Sequence, residues 1–508
     1  MSANTSTQQK AVIIGAGIGG LVAALELVHA GFDVTVCEQH AHVGGKMRQV
    51  HFAGHDGIDS GPTVFTMRWV FDALFEAVGS RFDDHVRLAP LDLIARHGWP
   101  DGSRLDLFSD IDRSVDAISQ FAGRAEGASY AAFCRESAAV FDTLEPTFMS
   151  APKPGPATLT ARILKRNPRG IASIHPFTTL AQTLARRFRD PRLRQLFGRY
   201  ATYTGGSPYQ SPATLMLIAH AERRGVWMID GGMHALARAV SALIEKAGGH
   251  VRRDCSVAEV TTDRAGQATG VRLETDEHIA ASTVVFNGDV SALAAGRFGH
   301  AARVAHARDL TPPTHRGQSA ITWSGIAKLS PDIAAHTVAF SDDYEAEFAA
   351  TFARHAPPTA PTVYLHAPDR RDEDHHNPKL SAQPDERIFA LTNAPANGDT
   401  AAYTDAARVR AEEAMSASLA ACGFSVEWDP ARCEVTTPHE FEAMFPDTGG
   451  SLYGRAPHGW RSSFVRADNV SPIAGLYLCG GSVHPGPGVP MAALSGRLAA
   501  AAAIRERG

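Results

Sequence analysis

The chain has no apolar stretch approaching the roughly 18 charge-free residues that a spanning helix needs. Its first ten residues are polar and carry no signal-peptide core. None of its six cysteines (Cys37, Cys134, Cys255, Cys422, Cys433, Cys479) stands in a Cys-x-x-Cys pair, and several sit in apolar, strand-like settings. Reduced, buried thiols of a cytoplasmic protein are the expectation. There is also no charge excess: 49 Lys and Arg against 54 Asp and Glu leave a net charge of -5, so no global field points to nucleic acid. Internal repeats and long low-complexity tracts are missing too. What remains, 44% hydrophobic and 20% charged over 508 residues, suits a soluble or peripheral enzyme of about three domain equivalents.

Against that background two glycine-rich stretches stand out, each after a short apolar strand and before a helix. In the first, a buried parallel strand over 11–14 leads into Gly15, Gly17 and Gly20 at G-x-G-x-x-G spacing, and the next helix carries Leu21, Leu25 and Val28 on one side. The first glycine permits the tight turn, the second lets a pyrophosphate approach the backbone, and the third lets helix pack on strand. A second strand over 34–37 delivers Glu38, 18 residues after Gly20, where a ribose hydroxyl is gripped. A turn without a ligand and an NAD site are the rival readings. The continuation disfavours NAD: Gly44-Gly-Lys-Met-Arg48 and Asp59-Ser-Gly-Pro-Thr63 add a glycine pair and basic residues beyond the ribose acid. The second stretch, Gly480-Gly-Ser-Val-His-Pro-Gly-Pro-Gly-Val-Pro490, reads as the other half of one flavin site.

Dinucleotide-type signals return after long interruptions. A helix follows Gly231-Gly232 with Leu236, Val240, Leu243 and Ile244 on one face, then a strand region from His250, a hairpin, and a strand over 281–289. The expected division is a discontinuous dinucleotide-binding domain (1–80, 225–300 and 441–508), with 81–224 and 301–440 inserted as a substrate-binding, membrane-facing domain. Within the insertion, residues 151–200 hold eleven basic residues against Asp190 alone. Ile163, Leu164, Ile171, Ile174, Phe177, Leu180, Leu184, Phe188 and Leu193 interleave with them, as in a segment lying on anionic lipid. The competing reading is a solvated helical face paired to acids elsewhere. Asp369-Arg-Arg-Asp-Glu-Asp-His-His376 has metal-capable side chains but no ligand spacing, so a solvated loop and no metal site are expected. The apolar run 498–504 is bounded by Arg497, Arg505 and Arg507 and reads as a last sheet-covering helix.

The chain resembles the phytoene desaturase type of carotenoid desaturases over nearly its whole length. The resemblance is carried by the motifs above together with Tyr203-Thr-Gly-Gly-Ser-Pro208, Gly225-Val-Trp-Met-Ile-Asp-Gly-Gly232, Thr437-Pro438, Gly450-Ser-Leu-Tyr-Gly454 and Leu476-Tyr-Leu-Cys-Gly-Gly-Ser-Val-His-Pro-Gly-Pro-Gly-Val-Pro490. Residues 61–75 and Pro490-Met-Ala-Ala-Leu-Ser-Gly-Arg497 resemble in particular the 1-hydroxycarotenoid 3,4-desaturases of purple bacteria.

The resemblance implies a Rossmann-like α/β fold of the flavin amine oxidase type with an inserted α+β domain. It also implies FAD, an acyclic carotenoid substrate, attachment to the inner (chromatophore) membrane, and oxygen or quinone as electron acceptor. Gly15, Gly17 and Gly20 would hold the pyrophosphate, Glu38 the ribose, and Gly45, Lys46, Gly61, Pro62 and Thr63 the region beyond. Val257 would face adenine; Gly480, Gly481, Val489 and Met491 would cradle the ribityl chain and flavin. Many flavoproteins place an acid beside the ribityl chain, and here Gly481-Ser482 stands there instead. Removing two hydrogens beside a conjugated chain asks mainly for positioning and exclusion of water. His484 is the proton acceptor available by location, with a loop-orienting role as its alternative. A substrate 1-hydroxyl would find its partner at the far end of the chamber. Phytoene desaturation, an amine oxidase on the same scaffold and a flavin-containing carotenoid isomerase or carrier stay open as other activities.

Overall fold

The structure, a computed structural model, describes residues 9–175, 177–370 and 385–507. The polar residues 1–8 and most of the acidic histidine-bearing loop, 371–376, lie outside them. The described end of that loop is engaged in ion pairs, Asp369 with Arg387 and Arg370 with Glu386.

Two large sheets organise the chain. The first has five parallel strands in the order Leu476–Leu478, Thr283–Phe286, Lys10–Ile14, Asp33–Cys37 and His250–Arg252. Val12, Ile13, Val34, Val36, Val284, Val285 and Phe286 are buried, as strands covered on both faces must be. The helix Ile18–His29 leaves the central strand and crosses the last helix, Val489–Arg507, so closely that a Cβ on Gly496 would lie 2.2 Å from the Gly19 carbonyl oxygen. Arg497 locks the crossing through Glu26 at 2.6 Å. The apolar C-terminal run therefore covers the nucleotide-type sheet. Among the described residues no helix is long and apolar enough to cross a membrane.

The second sheet has seven strands, drawn from residues 93–108 and 319–436. One edge pairs Leu93–Gly98 with Arg104–Phe108, and near the other edge the long strand Ser319–Leu329 lies between Glu386–Ala394 and Val426–Thr436. A helical layer with its own aromatic core, including Tyr130, Phe133, Phe188 and Phe197, packs nearby. The strand Trp227–Ile229, expected with the dinucleotide part, pairs with Leu88–Pro90 from the expected insertion.

The basic segment differs from a continuous lipid-facing surface. It folds as four helices, Pro156–Arg166, Gly170–Ser173, Leu180–Arg187 and Pro191–Gly198. Ile163, Leu180, Leu184, Phe188 and Leu193 are buried in protein, the ordinary fate of an apolar helical stripe. Acids missing locally are supplied from elsewhere: Arg187 pairs with Glu136, and Arg192 with Asp101 as well as Asp190. Leu164 and Phe177 stay exposed, as do Lys165, Arg166, Arg169, Arg186 and Arg189.

Candidate active site

A cavity of about 900 Å³ runs from the ends of the parallel strands to the face of the second sheet. Gly15, Gly17, Glu38, Gly45, Lys46, Gly61, Pro62, Thr63, Val257, Gly480, Gly481, Val489 and Met491 all line it, so residues more than 400 positions apart meet in one wall. Gly20 and His484 do not.

The two glycine turns are built around one side chain that the sequence reading passed over. Asn287 follows the strand Thr283–Phe286 and donates its Nδ2 to the Gly15 carbonyl at 3.2 Å. A Cβ at Gly17 would lie 2.8 Å from that nitrogen; one at Gly480 would lie 3.1 Å from Asn287 Oδ1. Gly15 and Gly480 also hold φ values of 93° and 108°, a region that glycine enters without steric cost. Glu38 closes the first turn, its Oε2 accepting from the Ala16 N–H at 2.7 Å and its Oε1 from the His40 N–H at 3.0 Å. Gly20 has a different task from holding pyrophosphate: its Cβ position lies 2.2 Å from the Gly15 carbonyl oxygen, so it lets helix pack against turn.

The second turn is backed by a cation rather than an acid. Arg466, 6% exposed, donates to the carbonyls of Gly481 at 3.2 Å, Tyr453 at 3.3 Å and Arg455 at 2.8 Å. Burial pulls its pKa down to about 10, so the charge persists at neutral pH. Lys46 donates Nζ to the Leu452 carbonyl at 2.7 Å, and burial lowers its pKa while Asp289 opposes the shift. The helices beginning at Ile18 and Val489 both start at this end of the cavity, where unpaired N–H groups favour an anion. The residues present fit a flavin dinucleotide: two turns in which protein atoms already crowd any Cβ, a ribose acid, the buried Arg466 and the half-buried Lys46.

His484 does not line the cavity, where a proton acceptor would have to stand. Its ring is fully buried, donates Nε2 to the Ala151 carbonyl at 2.9 Å and meets Phe148 edge-on at 4.8 Å. Burial lowers its pKa. It ties the flavin-side loop to the helical layer instead of facing the cavity. Among the described residues no group of acids, histidines and cysteines has the makings of a metal site, and all six cysteines are free thiols.

Beyond the turns the wall becomes apolar, with Leu144, Phe148, Met149, Leu215, Leu217 and Ile218 facing Phe389 and Leu391 of the second sheet. Residues 18–504 match the family model of flavin containing amine oxidoreductases. The chain belongs to that family. As a member it is a flavin-dependent oxidoreductase with FAD as cofactor. It is 47% identical over 496 residues to a hydroxyneurosporene desaturase of Rubrivivax gelatinosus, covering 97% of this chain and 92% of that protein. It is 29% identical over 500 residues to a 1-hydroxycarotenoid 3,4-desaturase of a Flavobacterium, covering 97% and 98%. A wild-type putrescine oxidase bound to putrescine superposes with a TM-score of 0.61 at 14% identity over 98% and 99% of the two chains, a likeness of fold.

Proposed function

We propose that this flavoprotein introduces a C-3,4 double bond into acyclic 1-hydroxy or 1-methoxy carotenoids. The observation that carries the reading is a flavin cradle opening directly into an apolar chamber, in a chain 47% identical over 97% of its length to a hydroxyneurosporene desaturase. FAD supplies a hydride acceptor when bound. The chain's own residues supply the rest. Asn287 and Glu38 hold the first turn rigid, Arg466 keeps positive charge where reduction brings negative charge, and Phe148, Leu217, Phe389 and Leu391 desolvate and align the polyene. Positioning of this kind is a large part of what the reaction asks of a protein. Residues 1–80, 225–300 and 441–508 bind FAD in this account, and the remainder binds substrate.

The same proposal includes peripheral attachment to the membrane in which carotenoids dissolve. Its support is a row of aromatic rings. Phe177, 79% exposed, meets Trp460 at 5.8 Å; Trp460 meets Phe464 at 6.5 Å; Phe464 meets Phe148, a cavity-wall residue, at 6.4 Å. Exposed rings beside Arg461 suit an interfacial footprint with the chamber behind it. Oxygen or a membrane quinone completes the redox cycle. The test is product analysis with FAD-loaded protein supplied separately with neurosporene, its 1-hydroxy derivative and phytoene. Selective formation of the 3,4-unsaturated hydroxy product supports the assignment, and faster turnover of phytoene refutes it.

A further inference from the structure

One part of the cavity wall is charged where a polyene needs only apolar contact. Arg199 follows the helix Pro191–Gly198 and donates Nη1 to the Tyr203 hydroxyl at 2.9 Å; its Nε and Nη2 have no protein partner among the described residues. The guanidinium also lies over the rings of Tyr203 and Tyr364, 5.1 Å from each centroid. Behind it, Tyr203 and Tyr200 each donate a hydroxyl to the buried Glu222 carboxylate at 2.9 Å. Taking such groups out of water is unfavourable, and well-packed apolar residues stabilise a fold as well or better. A few convergent polar groups in an apolar chamber are the usual means of fixing a ligand's orientation.

The location matters as much as the charge. Gly45 lies against Gly17, its Cβ position 3.2 Å from the Gly17 Cα, and Gly61 presses on the Lys46 carbonyl. Thr63, two residues further, bonds the Tyr364 hydroxyl at 2.7 Å. The pyrophosphate turn, Thr63, Tyr364 and Arg199 therefore share one cavity wall. In the proposed reaction the oxygen-bearing carbon 1 is two bonds from carbon 3. The substrate oxygen is consequently held beside the reacting bond, and its partner belongs near the flavin, not at the far end of the chamber.

We propose that Arg199, oriented by Tyr203 and Glu222, receives the terminal oxygen of the substrate and so selects oxygenated chains and sets which carbons meet the flavin. The assignment rests on the desaturase reading. Arginine offers donors only, so this site takes an ether oxygen as readily as a hydroxyl, in keeping with both 1-hydroxy and 1-methoxy chains. The rival reader is Thr322, 2% exposed in the cavity wall with an unpartnered hydroxyl.

The experiment compares kcat/KM for a 1-hydroxy acyclic carotenoid, its 1-methoxy ether and the same chain without oxygen, using FAD-loaded wild type and variants. Wild type should favour both oxygenated chains at least about tenfold. Arg199→Gln combined with Glu222→Gln removes both charges together and should lower that ratio about tenfold or more, with flavin content unchanged. Tyr203→Phe, the second variant should the first fold poorly, should lower it about threefold, and Thr322→Val should not lower it. A flavin-loaded Arg199 or Tyr203 variant that keeps the wild-type ratio overturns the assignment, as does loss of the ratio in Thr322→Val alone. Wild type that dehydrogenates none of the three chains refutes the desaturase reading itself.

Discussion

Valine in place of Gly17 separates the cofactor cradle from the fold. The added Cβ would lie 2.8 Å from Asn287 Nδ2, inside ordinary contact distance, so the amide must swing away and give up its 3.2 Å bond to the Gly15 carbonyl. Losing that bond costs about 1 kcal/mol, and crowding by the branched side chain adds about 1 to 3 kcal/mol. The fold should survive a change of that size, since the buried residues of both sheets are untouched. Cofactor binding should not: the valine methyls fill the approach of the pyrophosphate, and each 1.4 kcal/mol lost lowers affinity about tenfold. Purified Gly17→Val should show native far-UV circular dichroism and a thermal midpoint lowered by only a few degrees, with little flavin absorbance even after incubation with FAD. Gly20→Ala is the contrasting variant. Its Cβ meets the Gly15 backbone oxygen at 2.2 Å, so it should lose folded protein and flavin together. A full flavin spectrum in Gly17→Val would refute the assignment of the first turn.

His484→Gln keeps a donor toward the Ala151 carbonyl and should leave the shape of the pH-rate profile unchanged; disappearance of one limb would restore His484 to the chemistry. Phe177→Ser with Trp460→Ser should weaken liposome flotation at all salt concentrations, whereas Lys165, Arg166 and Arg169→Gln should weaken it only at low salt, by about 1 kcal/mol per charge; unchanged flotation in both sets would leave this face without a membrane role. Buried histidines should contribute to acid sensitivity. His97 and His366, each lowered to about 4 by burial, bind fewer protons folded than unfolded between about pH 4 and 6.5. Each therefore removes about 3 kcal/mol of stability as pH falls through that window. Asp59, raised to about 6 by burial, binds more protons folded than unfolded between about pH 4 and 6 and opposes them by about 3 kcal/mol. The thermal midpoint should fall on acidification from pH 6.5 to 4, and more steeply in Asp59→Asn; a midpoint that rises would contradict the balance.

The parts of the site that were readable in the sequence are local. Gly15, Gly17 and Glu38 sit within 24 residues, and strand, turn and helix each carry their own pattern. The second half was readable because Gly480 and Gly481 follow a buried strand and precede a helix, as the first turn does. What escaped depends on partners far along the chain. Asn287 lies 272 residues from the Gly15 carbonyl it holds, and nothing in its neighbours distinguishes it from any asparagine after a strand. Arg466 has a role only because the Gly481 and Tyr453 carbonyls converge on it. The pairing of the basic segment is hidden for a related reason: its lack of acids is a local fact, while Glu136, which pairs with Arg187, comes from a different helix. His484 stands beside the glycines in the sequence, and only the fold shows its ring turned toward Ala151.

The central claim is tested most directly by mixing oxidised, FAD-loaded protein with one equivalent of 1-hydroxyneurosporene in the absence of oxygen and following flavin and polyene absorbance together. The account predicts loss of the oxidised flavin bands in step with a red shift of the polyene, and a product lighter by two hydrogens with its new double bond at C-3,4. Flavin that stays oxidised while the polyene is unchanged, or changes only in geometry, would contradict it.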